Sequence, residues 1–326
     1  MGPYVHDIDP VIGQVGGVYL WWYGLGYTLA FIQLLSFLLR HRASLRLTRA
    51  DAWRLALAFA TGVLLGGRAV QVAFDEWPLY RAHPALVPAI WLGGFATHGL
   101  LVGAAAATAW FAHRHRKPVL ELADALVIPG ALLLGLGRLG NFIDGQIVGS
   151  VTGVWWAVKF PDADGYRHPV VLYDGMKNLL LVPYLLWVRR SNPTPGAVAA
   201  RFIFWYAFLR IFVDLFRDYP THRLALGTGQ TLNFAMALLG LWLLRRSRLR
   251  RLGRLPARTD VAGTTGVGPA DEAPSTTVRM AFAVLLAACL TIPSNWTQDV
   301  PARYGTRHPG MQHSAIYPPI ETGRYR

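Results

Sequence analysis

The chain has 326 residues, of which 53% are hydrophobic and 15% charged, with 32 Lys and Arg against 18 Asp and Glu. A soluble chain of this length usually makes two domains and carries about a quarter charged residues, so the composition argues against a soluble enzyme and against a disordered protein. The net charge of +14 would suit a nucleic-acid binder, but the basic residues fall in short runs between long apolar stretches, the pattern of a polytopic membrane protein.

Residues 1–17 lack a basic segment followed by a cleavage site and predict no removable signal. Seven stretches then approach the roughly 20 apolar residues that a bilayer-crossing helix needs. They are Val18 to Leu39, Leu55 to Phe74, Gly94 to Phe111, Leu122 to Leu136, Val170 to Val188, Ala197 to Phe216 and Gly227 to Leu244. The expected fold is an all-α polytopic membrane protein of about seven transmembrane helices. Loops after the first, third, fifth and seventh stretches carry at least sixteen Lys and Arg, against six in the opposite set. That bias predicts an N-terminus outside and basic loops in the cytoplasm. Residues 1–252 are therefore read as the transmembrane domain. Residues 253–279, rich in Gly, Pro, Thr and Ala, predict a flexible cytoplasmic linker, and 280–326 a short apolar segment with a polar tail.

An ionisable side chain at membrane depth costs roughly 2.5–3.5 kcal/mol on insertion scales, so each needs a partner, a watery cavity or a function. Arg68 lies in the second stretch, His98 in the third, Arg138 and Asn141 at the end of the fourth, and Arg210 with Asp214 in the sixth. Arg210 and Asp214, four apart, share a helical face. They form either a structural ion pair or, with Arg68 and Arg138, a phosphate site, because guanidinium matches phosphate oxygens bidentately. At that depth the obvious anion is a lipid headgroup. His98 either makes a polar contact or takes a proton near neutral pH. From Gly137 to Gly149 glycines alternate with Arg138, Asn141, Asp144 and Gln146. Such backbone is unsatisfied in lipid and must line a cavity or pack on protein, as a binding loop or as a turn at the membrane surface. A lone cysteine, Cys289, excludes an intramolecular disulfide and a cysteine cluster. No His or carboxylate spacing suggests a metal.

Seven ordered motifs carry a family resemblance: Trp22 to Tyr27 (WYGLGY), Leu65 to Arg68 (LGGR), the GGFATHGLLVG around His98, Gly137 to Gly149, Arg167 to Tyr173 (RHPVVLY), Leu209 to Arg217 (LRIFVDLFR) and Gly227 to Gln230 (GTGQ). Over about residues 5–246 the chain resembles the prolipoprotein diacylglyceryl transferase family of the bacterial inner membrane. The resemblance implies a multi-pass fold whose active site opens outward. It also implies transfer of the diacylglyceryl group of phosphatidylglycerol to the lipobox cysteine of prolipoproteins, with glycerol phosphate leaving. Its partners would be phosphatidylglycerol, prolipoprotein signal peptides and membrane lipids, with no nucleic acid and no cofactor. Carried onto this sequence, Arg138 and Arg210, with Arg68, would hold the phosphate. His98, Tyr23, Asn141, Asp144 and Gln146 would form the working site, with His98 a candidate base. Gly149, Asp214, His168 and Tyr173 would support it.

The sequence departs from the family pattern in places. Where the family loop reads GRLGNFINGE, this chain has Asp144 for Asn and Gln146 for Glu, so the acid and the amide exchange places. In an extended loop residues two apart face one side, and the carboxylate would reach the same cavity shifted by about 7 Å. Val171 replaces Gln, and Asp replaces Glu at Asp174 and Asp214. Beyond the linker, Arg279 precedes Met280 to Ala288, an apolar run of signal-like length, and Leu286 to Cys289 resembles a lipobox. Cys289 is thus a candidate for lipidation in an exported tail. The segment is equally readable as an interfacial one that is never processed. A non-catalytic lipid- or precursor-binding member of the family is the alternative function. A transporter is disfavoured because the polar groups gather toward one face and no inverted repeat or pair of broken helices is evident.

Overall fold

The computed structural model describes residues 3–191, 193–218, 228–252, 272–294, 301 and 304–319. Among them are nine α-helices: α1 (Trp22–His41), α2 (Arg49–Val70), α3 (Trp77–Ala82), α4 (Thr97–Arg114), α5 (Val119–Ile143), α6 (Val170–Arg190), α7 (Ala197–Asp214), α8 (Thr228–Arg251) and α9 (Thr276–Leu290). Each of the seven apolar stretches falls in one of α1, α2 and α4 to α8. Three helical segments, Trp22–His41, Arg49–Asp75 and Val119–Ile143, are long and apolar enough to cross a membrane, and α9 is a shorter apolar helix. Large apolar side chains such as Leu29, Leu65, Val102, Leu180, Phe208 and Trp242 are exposed on the bundle's outer surface. For a chain in water that surface would be an aggregation liability, whereas lipid covers it without loss. This is a membrane protein.

Several boundaries differ from the sequence reading. The expected all-α fold carries strands: β1 (Tyr4–Val5) pairs in parallel with β4 (Val158–Lys159), and β2 (Val11–Val15) with β3 (Val18–Trp21) antiparallel. The first apolar stretch therefore begins as a strand, because the alternating burial of Val18 to Trp21 has period two. The helix starts at Trp22. The fourth stretch runs on through Gly137 to Ile143 as α5, so Arg138 and Asn141 sit on a helix and the loop proper begins at Asp144. The second continues past Val70 as a π-helical turn over Gln71–Asp75. Most of the expected linker, 253–271, lies outside the described residues, and so does Gly227 of the GTGQ motif. Thr276 to Arg279 already belong to α9.

Caps and buried carboxylates fix the helix ends. Thr48 and Asp51 close a capping box at the start of α2, a device worth about 0.5–2 kcal/mol. Asp51 also holds Lys117 Nζ at 3.2 Å, which ties the α1–α2 loop to the α4–α5 loop. Asp124, buried on α5, accepts from the amides of Gly196 and Ala199 at 2.7 Å and so caps α7. Between α2 and α4, Gly62 and Gly66 meet Gly99 and Gly103 backbone to backbone, and a Cβ at any of the four would collide with the facing chain. Small residues four apart let membrane helices approach this closely.

Two buried apolar clusters result. One fills the bundle and includes Phe31, Leu34, Phe59, Leu126, Leu185 and Phe282. The other joins the β2–β3 hairpin (Tyr19, Trp21) to residues after α2 (Leu79, Tyr80) and to Tyr304 and Tyr317 of the C-terminal segment. Gly66→Leu should lower stability by about 1–3 kcal/mol through overpacking against α4, read as a drop in melting temperature in detergent.

Candidate active site

The last two turns of α5 bring Arg138 and Asn141, three residues apart, onto one face. Arg138 donates through Nε to Asp174 Oδ2 at 2.5 Å, through Nη1 to Asn141 Oδ1 at 3.0 Å and through Nη2 to Thr97 Oγ1 at 2.9 Å. Three of its five N–H groups are thus aimed by α4, α5 and α6. Asp174, on α6 and 1% exposed, also takes an ion pair from Arg210 of α7 and another from Lys177 Nζ at 3.0 Å. Lys177 lies over the Tyr206 ring, 4.0 Å from its centroid. Arg210 reaches Asp214 at 3.1 Å, and Asn233 of α8 donates to Asp214 at 3.1 Å. Five helices, α4 to α8, therefore meet in one polar network.

These residues wall a cavity of about 750 Å³. Its polar lining includes Tyr23, His98, Arg138, Asn141, Gln146 and Arg210. Phe74, Val102 and Leu232 line it too and are exposed on the apolar outer surface, so the cavity opens sideways toward lipid. Around it Arg138, Lys177, Arg210 and Arg217 face Asp75, Asp174 and Asp214, which leaves one surplus positive charge. That suits an anionic headgroup with acyl chains leaving through the opening. Nε2 of His98 is buried with no hydrogen-bond partner among the described residues. Tyr23 and Tyr27 share a hydrogen bond between their hydroxyls at 3.1 Å.

Of the other expected residues, Gln146 lines the cavity and the rest lie elsewhere. Arg68 is away from this wall: its guanidinium donates to the carbonyls of Val87 (3.0 Å), Leu86 (2.7 Å) and Gly93 and stacks on Tyr80. Its charge pins the 84–94 segment, and of the three arginines expected at a phosphate only Arg138 and Arg210 line the cavity. Asp144 is wholly buried behind the cavity, where it accepts from the Ser294 amide at 2.9 Å. The loop is not extended at this point. Asp144 continues the helical backbone, and Gly145 and Ile147 take positive φ, so Asp144 and Gln146 face different partners. Gln146 donates to the Tyr304 hydroxyl at 2.7 Å. Gly149 is pressed against the carbonyls of His168 and Phe216, where a Cβ would clash. His168 pairs with the Tyr173 hydroxyl at 3.1 Å outside the cavity, and burial holds its imidazole below the ordinary value. Cys289 is buried in the bundle core and is not part of the cavity wall. Lys177, Asn233 and Ser294 join the site without a sequence motif to mark them, and Thr97 joins it from within the motif around His98.

The chain thus holds a cavity lined by arginines and opening sideways, inside a helical bundle with an apolar exterior. The family model described as prolipoprotein diacylglyceryl transferase matches residues 10–246. A relative from Geobacter sulfurreducens, named phosphatidylglycerol--prolipoprotein diacylglyceryl transferase, is 37% identical over 256 residues, covering 76% of this chain and 98% of its own length. Relatives of the same name from Pseudoalteromonas atlantica and Rhizobium leguminosarum are 34% and 36% identical, covering 76% and 74% of this chain and 93% of each relative. The chain belongs to the prolipoprotein diacylglyceryl transferase family.

Breaking the network at its centre should be costly. Asp174→Asn leaves buried cations short of a carboxylate and is expected to destabilise by about 3–5 kcal/mol, measurable as an early thermal transition in detergent.

Proposed function

We propose that this chain transfers the diacylglyceryl group of phosphatidylglycerol to the thiol of a lipobox cysteine in a prolipoprotein. The observation that carries the reading is that Arg138 and Arg210, from separate helices, line a cavity open to lipid and are both held by one buried carboxylate. The arginines hold the phosphate, and the acyl chains lie through the opening beside Phe74 and Val102. A thiol with an ordinary pKa near 8.5 is a weak nucleophile until it loses its proton. His98, whose ring lines the cavity, takes that proton. The sulfur then forms a bond to the glyceryl carbon as the bond from that carbon to the phosphate oxygen breaks. Glycerol phosphate leaves with the electron pair. Its added negative charge is stabilised by arginines already fixed in place. The chemistry calls for no cofactor.

In this reading α1, α2 and α4 to α8 are seven spans of the inner membrane. The N-terminus and the cavity lie on the outer side and the basic loops in the cytoplasm. The distribution of Lys and Arg, at least sixteen against six, supports that orientation.

The test incubates purified chain with phosphatidylglycerol in detergent and a lipobox peptide, followed by mass spectrometry of the peptide. A diacylglyceryl gain is expected, slowed at least about 100-fold by Arg138→Ala. No gain, with a family relative active in the same assay, would overturn the reading in favour of a binding protein. His98→Ala should lower kcat by about 10²–10⁴-fold and flatten its pH dependence near neutrality. Unchanged kinetics in that variant would assign the proton to another acceptor.

A further inference from the structure

The C-terminal segment lies beyond the matched residues, yet it is built into the site. At one end of the bundle the Glu272 carbonyl accepts from the Ala50 amide at 3.0 Å, and its carboxylate meets Arg54 at 3.1 Å, both beside the start of α2. From there α9 runs antiparallel to α1. The Thr28 hydroxyl donates to Leu286 O at 3.1 Å, and Gly24 lies so close to the carbonyls of Cys289 and Leu290 that no Cβ would fit. Phe282 and Cys289 face the core, while Met280 and Val284 share the exposed apolar surface of the bundle. Fifteen helical residues cover about 22 Å, so α9 crosses most of the bundle's height. Basic loops mark the end where it starts, and the start of α1 marks the end where it finishes.

The chain then enters the site. Ser294 accepts from Asn141 Nδ2, its amide donates to Asp144, and its hydroxyl belongs to the cavity lining. Tyr304 accepts from Gln146, and Arg307 donates to the carbonyls of Ile8 (3.0 Å), Ile143 (3.2 Å) and Asp144 (3.1 Å). Asp144 and Gln146, the two loop positions that depart from the family pattern, both bond this segment through their side chains.

What occupies the groove has a defined chemistry: a basic residue (Arg279) at the cytoplasmic end, an apolar helix, then a short polar side chain set at the cavity. That is the order of charge, apolar run and acceptor residue in a lipobox precursor. The residue at the cavity is an alcohol, and the thiol of Cys289 lies five positions back against α1. Arg307 and Tyr304 oppose the slide that would bring it forward. Resting on the transferase reading, we propose that the groove between α1, α2 and the loop after α5 is the seat of the protein substrate's signal segment. In this chain α9, residues 291–294 and residues 304–317 hold it as an intramolecular stand-in, with Ser294 in the place of the acceptor cysteine.

Cys289, the chain's sole cysteine, reports on this directly. Full-length protein in detergent is treated with a maleimide, with and without a lipobox peptide whose cysteine is replaced by serine. Displacement of α9 is expected to speed labelling at least about fivefold, as the shielded population falls, and a scrambled peptide should leave the rate unchanged. Labelling that stays constant at peptide concentrations that block transfer to a cysteine peptide would overturn the proposal. So would a diacylglyceryl adduct on Cys289 itself, since the segment would then be a substrate and not a stand-in. The labelling needs no turnover, so faster labelling without any transfer would sink the transferase reading while leaving the groove intact. In kinetics, Arg307→Ala with Tyr304→Phe should lower the peptide KM up to about tenfold by freeing the groove, with kcat and the lipid KM unchanged. An unchanged or raised peptide KM would count against the stand-in.

Discussion

The site depends on one buried carboxylate. Asp174 receives Arg138, Arg210 and Lys177 from α5, α7 and its own helix, and without it three cations would be confined in a small apolar volume. Isolated charges in such surroundings are far too costly to persist, so the network exists as a unit. Its consequence is directional. The guanidinium of Arg138 is bonded on three sides, and Arg210 is clamped between Asp174 and Asp214, so neither must reorganise when an anion arrives. Fixed donors at a developing charge are what electrostatic stabilisation of a leaving group requires.

The remainder of the bundle keeps that arrangement in register. Close backbone contact between α2 and α4 sets the height of Thr97 and His98, and Asp124 fixes where α7 begins, four turns before Arg210. Arg68 performs a related task outside the cavity. By gathering three carbonyls from 86 to 93 it shapes the strap that precedes α4 and contributes Gly94 to Ala96 to the cavity wall.

Much of this was legible in the sequence. Each apolar stretch is helical over most of its described length, and three of the helical segments are long and apolar enough to cross a membrane. Polar groups inside those stretches pointed to His98, Arg138, Arg210 and Asp214, since each is expensive there without a purpose. Asp174 draws notice only as a replacement for Glu and Lys177 not at all, although both lie inside the fifth apolar stretch. Gly137 to Gly149 misleads in the other direction. Its glycines suggest irregular backbone, but Leu139, Phe142 and Ile143 keep the helix going to Asp144. Arg68 shows the limit of counting charges, because its partners are carbonyls, which any sequence supplies. The docking of α9, Ser294 and Tyr304 rests on contacts more than 130 positions apart along the chain, and no periodicity encodes those.

Binding of the leaving group isolates the central claim from the rest of the reaction. Titration calorimetry of glycerol phosphate into the purified protein should show saturable binding, weakened more than about tenfold by Arg138→Ala and by Arg210→Ala, as expected for loss of a charge-assisted contact. Equal affinity in the parent and both folded variants would contradict a phosphate wall organised by Asp174 and would return these arginines to a purely structural role.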